Sequence, residues 1–441
     1  MAEKKRVWRR LLFALVPLAA LLVAATLILS QLEKRKVIVT ERPDDSVLYA
    51  PAYPLEKIRN DRGEEMYRLS GYNMLTATIP VRKGPRTCRV VVAGESFILG
   101  LPYFNPTGNS LGCGDIPQWV QAELELRYPT WRFEVINAGA GGRTSHGVGE
   151  IVEALLEAQP DVVVVATGNN EGVVPVTAFN EIVHRWVVYR LLKKNLLPEP
   201  ELNNRPYLSV QDSNGDNMRS GFERNIRSMA QAVKAKGVPL VLCTMPINLR
   251  FEDPTLVKPD DFIRQGRELY AQGRYQEAIE ALSRSAQQGE AAKIIGDCLL
   301  AQGKYGHAKT MYKIAVQLNP LNRTRPSLNE TVRRICREEN LPLVDLEQLV
   351  EDQSPHGIPE INLFCDYCHM TWRGYAMVAH EMVQVMISRG LIGAGRDTAR
   401  FRPTIEQMIA FKHWERLLSP SLKYQGCLTP PGVNRMLPTG Y

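Results

Sequence analysis

Residues 90–96 read Val-Val-Val-Ala-Gly-Glu-Ser. The β-branched run predicts a buried strand over 89–93 and sets Ser96 just past its carboxyl end. The pattern recurs downstream. A second strand is predicted over 132–136, ending in Asn137-Ala138-Gly139-Ala140-Gly141-Gly142. A third, over 161–166, is a valine run of the kind buried on both faces, followed by Gly168-Asn169-Asn170-Glu171. Residues 238–244 and 341–346 supply a fourth and fifth strand. Helical spacing marks 117–126, 148–158 (stopped by Pro160), 222–236, 329–339 and 371–388. Strands alternating with helices imply βαβ units and a five-stranded parallel sheet. Sites in such sheets form outside the carboxyl ends of the strands. Ser96, the Gly-rich loop at 139–142 and Asn170 therefore face one edge.

Residues 365–369 read Cys-Asp-Tyr-Cys-His and precede the last predicted helix, in a loop that reaches the same edge. Asp366 and His369 are close enough in sequence for one turn to set a carboxylate against an imidazole. A serine, a base and an orienting acid are what acyl transfer requires. Each piece alone also has a plain reading. A serine after a strand caps a helix, paired asparagines make turns, and an Asp and His three apart form surface pairs. Gly-Ala-Gly-Gly could cradle a phosphate, but the Gly-x-Gly-x-x-Gly spacing and the lysine of such loops are missing.

The chain has 441 residues, 44% hydrophobic and 23% charged, which describes a globular protein of more than one domain. Its net charge of +7 is modest and partly terminal, and no basic stripe interleaves with aromatics, so nucleic acid is not an expected partner. Lys4, Lys5, Arg6, Arg9 and Arg10 precede an apolar run from Leu11 to Leu29; Glu33, Lys34, Arg35 and Lys36 follow. The run is long enough to span a bilayer and continues past its Ala-Ala pairs, which favours an uncleaved transmembrane helix over a cleaved signal. The denser charge before the run keeps the N-terminus cytoplasmic and exports the rest, in a bacterium to the periplasm or outer face.

Eight cysteines stand at 88, 113, 243, 298, 336, 365, 368 and 427. An even number in an exported chain permits disulfides; Cys243 and Cys298, in apolar segments, read as buried small hydrophobes. Cys365-x-x-Cys368 lacks both a thioredoxin-like setting and a second zinc-ligand pair. It reads as packing, or as a disulfide stiffening its loop. No metal and no cofactor are expected. Residues 182–197 mix Arg185, Arg190, Lys193 and Lys194 with apolar residues and Trp186; they suit a helix packed on its own domain better than one lying on a membrane.

Residues 264–320 break the alternation. Ala-Gln-Gly-Arg-Tyr at 271–275 and Ala-Gln-Gly-Lys-Tyr at 301–305 each precede a helical stretch, 276–286 and 306–318. This resembles a tetratricopeptide-repeat pair with a shortened period, which implies a small α-helical insertion that leans on its neighbours and offers a protein or peptide a docking surface. The expected division is 1–36 tail and anchor, 37–85 linker and lead-in, 86–260 first part of the α/β domain, 261–322 insertion, 323–395 second part, and 396–441 extension.

The blocks Gly94-Glu95-Ser96, Asn137 to Gly142, Gly168-Asn169-Asn170-Glu171 and Asp366 to His369 resemble, in order, the four signature blocks of the SGNH (GDSL-like) hydrolases. Glu95 and Glu171 stand where that family usually has Asp, at positions that are not catalytic in it. The resemblance implies a three-layer α/β/α flavodoxin-like sandwich. It makes Ser96 the nucleophile, His369 its base and Asp366 the acid that orients the imidazole. Ser96, the N–H of Gly142 and the side chain of Asn170 would form the oxyanion hole, where losing one donor typically costs about 10²–10³ in rate. Glu95, Glu171 and His146 are candidates for the pocket; His307 and His380 read as structural. The implied activity is a serine esterase working through an acyl-enzyme on an acyl-ester substrate, with acyl groups of an envelope glycan, peptidoglycan or lipid suggested by location. Transfer to a sugar hydroxyl would use the same site. The rival from another class is a repeat scaffold with a vestigial hydrolase domain.

Overall fold

The computed structural model describes residues 21–32, 55–71, 74–103, 114–171, 187–196, 216–251, 258–318, 323–360, 362–392 and 402–413. Val90 and Val92 of strand β4 (Thr87–Gly94) face one core; Val91 and Ala93 face another. That alternation is what a strand covered on both sides requires. β4 lies at the interior of a five-stranded parallel sheet with β5 (Arg132–Gly139), β6 (Val162–Ala166), β7 (Leu240–Cys243) and β8 (Leu343–Val344), in the order β5-β4-β6-β7-β8. This is the flavodoxin-like arrangement, with the switch point beside β4. Helices Ile116–Arg127 and Trp372–Ser388 cover one face; Ser145–Leu155, Asp216–Ala235 and Pro326–Glu339 cover the other. Val162, Val163 and Val164 are fully buried, each stabilising the fold by about 1.5–3 kcal/mol.

Residues 37–85 do not form a plain lead-in. Their described part holds an antiparallel sheet of β1 (Leu55–Arg59), β2 (Glu65–Leu69) and β3 (Ala77–Pro80). Its strands are short and their outward positions charged, so no apolar run announces them. Asn60 makes the first turn, its Oδ1 accepting from the N–H of Arg62 and of Glu64. Buried Arg89 of β4 fastens the main sheet to this one by donating to the carbonyl of Pro80 (2.7 Å), and is itself held within the main sheet by the carboxylate of Glu134 on β5 (2.9 Å). β8 is shorter than its predicted strand because Asp345 leaves the sheet to cap helix Leu346–Asp352.

The segment before Arg323 folds as two helix pairs, Asp261–Ala271 with Tyr275–Leu282 and Gln288–Ala301 with Tyr305–Leu318. Gly273 and Gly303 of the quoted motifs occupy the turns at positive φ. The close approaches fall at Gly266 and Gly296, where a Cβ would meet Leu282 at 2.4 Å and Tyr312 at 2.7 Å. The last helix among the described residues, Ile405–Lys412, joins the core through Met408.

The expected anchor at 11–29 lies partly outside the described residues; 21–32 is helical, and among the described residues no helix is long and apolar enough to cross a membrane. Of the 182–197 stretch, Val187–Leu196 is helical, with Val187 and Arg190 buried.

Candidate active site

The nucleophile turn begins where β4 meets β6. A Cβ on Gly94 would lie 2.2 Å from the carbonyl of Ala166 and 2.5 Å from Ile98 Cγ1. Only glycine permits that approach. The chain turns at Glu95 into the short helix Ser96–Leu99, leaving Ser96 at 8% exposure.

The acid and base come from a loop closed on itself. Phe364 bridges Met370, and the N–H of Cys365 donates to the carbonyl of His369 at 2.8 Å. Asp366 Oδ1 accepts from the N–H groups of Cys368 (2.8 Å) and His369 (2.6 Å), while its Oδ2 lies 2.6 Å from His369 Nδ1. His369 Nε2 lies 2.8 Å from Ser96 Oγ, across 273 residues of sequence. A carboxylate can only accept, so Nδ1 carries the ring proton and Nε2 is left to accept from the serine hydroxyl. Burial pushes the Asp366 carboxyl upward, but the His369 ring and the two backbone N–H groups outweigh it and hold the group below its ordinary value. The acid is therefore ionised where the imidazole needs it.

The opposite side is built from the two loops past β5 and β6. Gly142 takes a left-handed φ of 76°. The Asn170 side chain donates through Nδ2 to the carbonyl of Arg143 at 2.9 Å, tying the two loops together. Asn137 Oδ1 accepts from Gly139 N–H at 2.9 Å within the Gly-rich loop.

Glu95 and Glu171 do not line a pocket, because both carboxylates point into the protein. Glu95 is fully buried; its Oε1 accepts from Thr167 Oγ1 (2.7 Å) and Gly168 N–H (2.8 Å), its Oε2 from Asn169 N–H (3.0 Å). Glu171 accepts from Ser145 N–H at 2.5 Å. They are clips that hold the loops. His146 sits in the helix after the Gly-rich loop and pairs with Glu150 at 3.7 Å.

Burial pushes the Glu95 carboxyl up to about 8, with the Gly168, Thr167 and Asn169 bonds opposing and the charge of Glu171 adding. Burial likewise lifts Glu171 to about 7. A carboxyl raised in the fold favours the neutral form. Its contribution to stability is complete below the ordinary value of 4.5 and is lost as pH climbs toward 8. Glu95→Gln imitates the neutral form and keeps the Oε1 bonds. The wild-type unfolding free energy, from urea titrations, should therefore fall more steeply between about pH 5 and 8 than that of the variant. Parallel profiles would remove this assignment.

Cys365 and Cys368 are not joined to each other by a disulfide, so of the two readings of this pair the stiffening disulfide does not hold. They point to different partners: Cys365 Sγ to the carbonyl of Met370 (3.5 Å), Cys368 Sγ to His369 Nδ1 (3.6 Å). Among the described residues, Asp366, Cys368 and His369 form a group with metal-ligand atoms within 4.8 Å of one another. Burial pushes the Cys368 thiol well above its ordinary value, and both Asp366 oxygens already accept hydrogen bonds.

Asn248 is the neighbour that sequence reasoning missed. Its Nδ2 donates to the carbonyl of Asp366 at 3.0 Å. The signal was present, since residues 244–248 follow the fourth strand and obey the same edge rule as Ser96 and Asn170.

A model of the GDSL-like lipase/acylhydrolase family matches residues 106–377, more than half of the chain, beginning just after Ser96. No curated protein matches. Solved structures similar to the chain include a lipase/acylhydrolase from Enterococcus faecalis (14% identity, TM-score 0.35, covering 68% of this chain and 96% of that one). Others are an acetyl xylan esterase, AlAXEase (15%, 0.35, 67% and 98%), and a catalytic mutant of an acetylxylan esterase from Geobacillus stearothermophilus (14%, 0.35, 68% and 93%). At such scores these likenesses carry no weight of their own. The family match spans the second, third and fourth blocks, and the first supplies the serine that stands against His369. The chain is thus a hydrolase of the GDSL-like lipase/acylhydrolase family.

Proposed function

We propose that this protein is a serine ester hydrolase that works through an acyl-enzyme on acyl esters of an envelope glycan or lipid. The observation that carries the reading is the continuous chain of contacts from Ser96 Oγ to His369 Nε2 (2.8 Å) and from His369 Nδ1 to Asp366 Oδ2 (2.6 Å). A serine hydroxyl is a weak nucleophile until a base takes its proton. In the first half-reaction Ser96 Oγ bonds to the ester carbonyl carbon as its proton passes to Nε2. The tetrahedral oxyanion is met by the N–H groups of Ser96 and Gly142 and by the Asn170 amide, which its bond to the Arg143 carbonyl helps to orient. The C–O bond to the alcohol then breaks, and the proton on Nε2 goes to the leaving oxygen. In the second half-reaction water gives its proton to Nε2 as its oxygen bonds to the acyl carbon; the bond from that carbon to Ser96 Oγ then breaks, Nε2 returns the proton to Oγ, and the acid leaves. A sugar hydroxyl entering in place of water would make the same site an acyltransferase.

The location belongs to the same proposal. The charge-flanked apolar run at 11–29 supports a single-pass anchor with its N-terminus inside, and an exported site facing envelope substrates. The paired helices of 261–318 support a repeat-like unit that receives a protein or peptide.

A fluorophosphonate probe tests the central reading. The expected result is one labelled peptide carrying the adduct on Ser96, with labelling slowed by a short-chain ester. A label on another serine, or none on folded protein, overturns it.

A further inference from the structure

The helical segment 258–318 leaves and rejoins the α/β domain beside the site, and both joints are bonded into it. Before the segment, Asn248 donates through Nδ2 to the carbonyl of Asp366 at 3.0 Å. The carbonyl of Asn248 accepts from Nη1 of Arg323, just after the segment, at 3.4 Å. The N–H of Thr324 donates to Asn169 Oδ1 at 3.0 Å. Asn169 adjoins Asn170 and has its own N–H held by Glu95. Asn248, Arg323, Thr324 and Asn169 are all 3% exposed or less. Breaking such a buried contact strands a polar group without water to replace its partner.

The segment is itself fastened to the α/β domain away from these joints. Lys313 pairs with Glu347 (2.9 Å) and Glu351 (2.6 Å), Lys309 pairs with Glu351 (3.1 Å), and Tyr305 stacks on His356 at 3.6 Å. Both glutamates are nearly buried, so these pairs are shielded from salt more than surface pairs are. The segment is thereby clamped at its last helix and at both joints, and its posture bears on the two loops that carry the acid and the oxyanion donor.

We infer that Asn248 and Asn169 are positioning residues through which the helical segment sets the alignment of Asp366 and Asn170. The inference rests on the Ser96–His369–Asp366 reading above. Asn248 acts on the acid side: the 365–369 loop is closed by its own short bonds, and Asn248 ties the head of that loop to the sheet edge. Asn169 acts on the oxyanion side, held between Glu95 and Thr324. Neither bonds to Ser96 or His369. Misplacement of reacting groups by about 1 Å costs about 10²-fold in rate, which sets the ceiling for each. A ligand that shifts the helical segment acts on kcat, because the contacts it moves orient reacting groups and do not hold substrate.

The experiment compares the full chain with Asn248→Ala and with the double variant Lys309→Ala/Lys313→Ala, using a short-chain chromogenic ester and fluorophosphonate labelling. The expected result for Asn248→Ala is a kcat lowered about tenfold to hundredfold with KM within about twofold, and a labelling rate that falls in step. The double variant, altered only where the last helix docks, should lose kcat by several-fold with KM again unmoved. A purely structural role would lower the melting temperature and leave kcat of the folded fraction at the wild-type value, and that result overturns the inference. If Asn248→Ala does not fold, the double variant decides, and an unchanged kcat there is equally fatal. Wild type that neither turns over nor labels at Ser96 sinks the hydrolase reading itself, a different outcome from active wild type with indifferent variants.

Discussion

Ser96→Ala should lower turnover of a short-chain chromogenic ester by about 10⁶ while leaving KM close to wild type. The size follows from what remains. The variant keeps the Asn170 amide, the Gly142 N–H and the His369–Asp366 pair, so it still binds an ester and meets an oxyanion. Those features alone are worth about 10³–10⁴ over water. It has no oxygen to form the acyl-enzyme, and His369 Nε2 has lost the hydroxyl that stands 2.8 Å away. The fold should be indifferent. Ser96 opens a four-residue helix, and a methyl fits where the hydroxymethyl was. Steady-state kinetics with a thermal melt on the same preparation checks both halves. A variant that retains more than about 1% of wild-type kcat would mean that another group is attacking the ester.

The five-stranded sheet was legible because its strands are buried on both faces. Val90 to Val92 and Val162 to Val165 have no solvent side, so the sequence shows an unbroken β-branched run and the edge rule then aligns Ser96, Gly142 and Asn170. The same reading passed over residues 55–80, because Glu56, Lys57, Arg59, Glu65 and Arg68 occupy positions that are not buried and interrupt any apolar run. Direction was the harder quantity. Glu95 and Glu171 are charged residues beside the site, which suggested a pocket. That their carboxylates turn inward to hold Gly168, Asn169 and Ser145 depends on a loop 73 and 74 residues away for Glu95 and on a helix start 26 residues away for Glu171. Asn248 lies 118 residues from Asp366, with no local pattern to mark the pairing. The Cys365–Cys368 spacing left packing and a disulfide open, and the thiols separate because one faces Met370 and the other His369. Local periodicity thus found the sheet edge. The support behind it comes from long-range hydrogen bonds that no window of sequence contains.

Asp366→Asn should cost about 10⁴ in kcat, and the hydrogen bonds say why so small a change does so much. Asp366 offers two acceptor oxygens to three donors: Oδ1 takes the N–H of Cys368 and of His369, and Oδ2 takes His369 Nδ1–H. Asparagine has one oxygen. The two backbone N–H groups cannot rotate away, so the amide oxygen stays with them and the Nδ2 donor turns to the ring. His369 Nδ1 must then accept, which moves the ring proton to Nε2. Nε2–H donates to Ser96 Oγ and can no longer receive its proton. The base is intact in position and wrong in tautomer. Substrate binding should change little, because the substitution preserves shape and the loop keeps its Cys365–His369 closure. Two measurements on one sample test this: kcat on the ester, and the ¹⁵N spectrum of the imidazole, which should move its proton from Nδ1 to Nε2. A variant within about tenfold of wild type, with the proton still on Nδ1, would show that Asp366 does not set the tautomer and that His369 is oriented by something else.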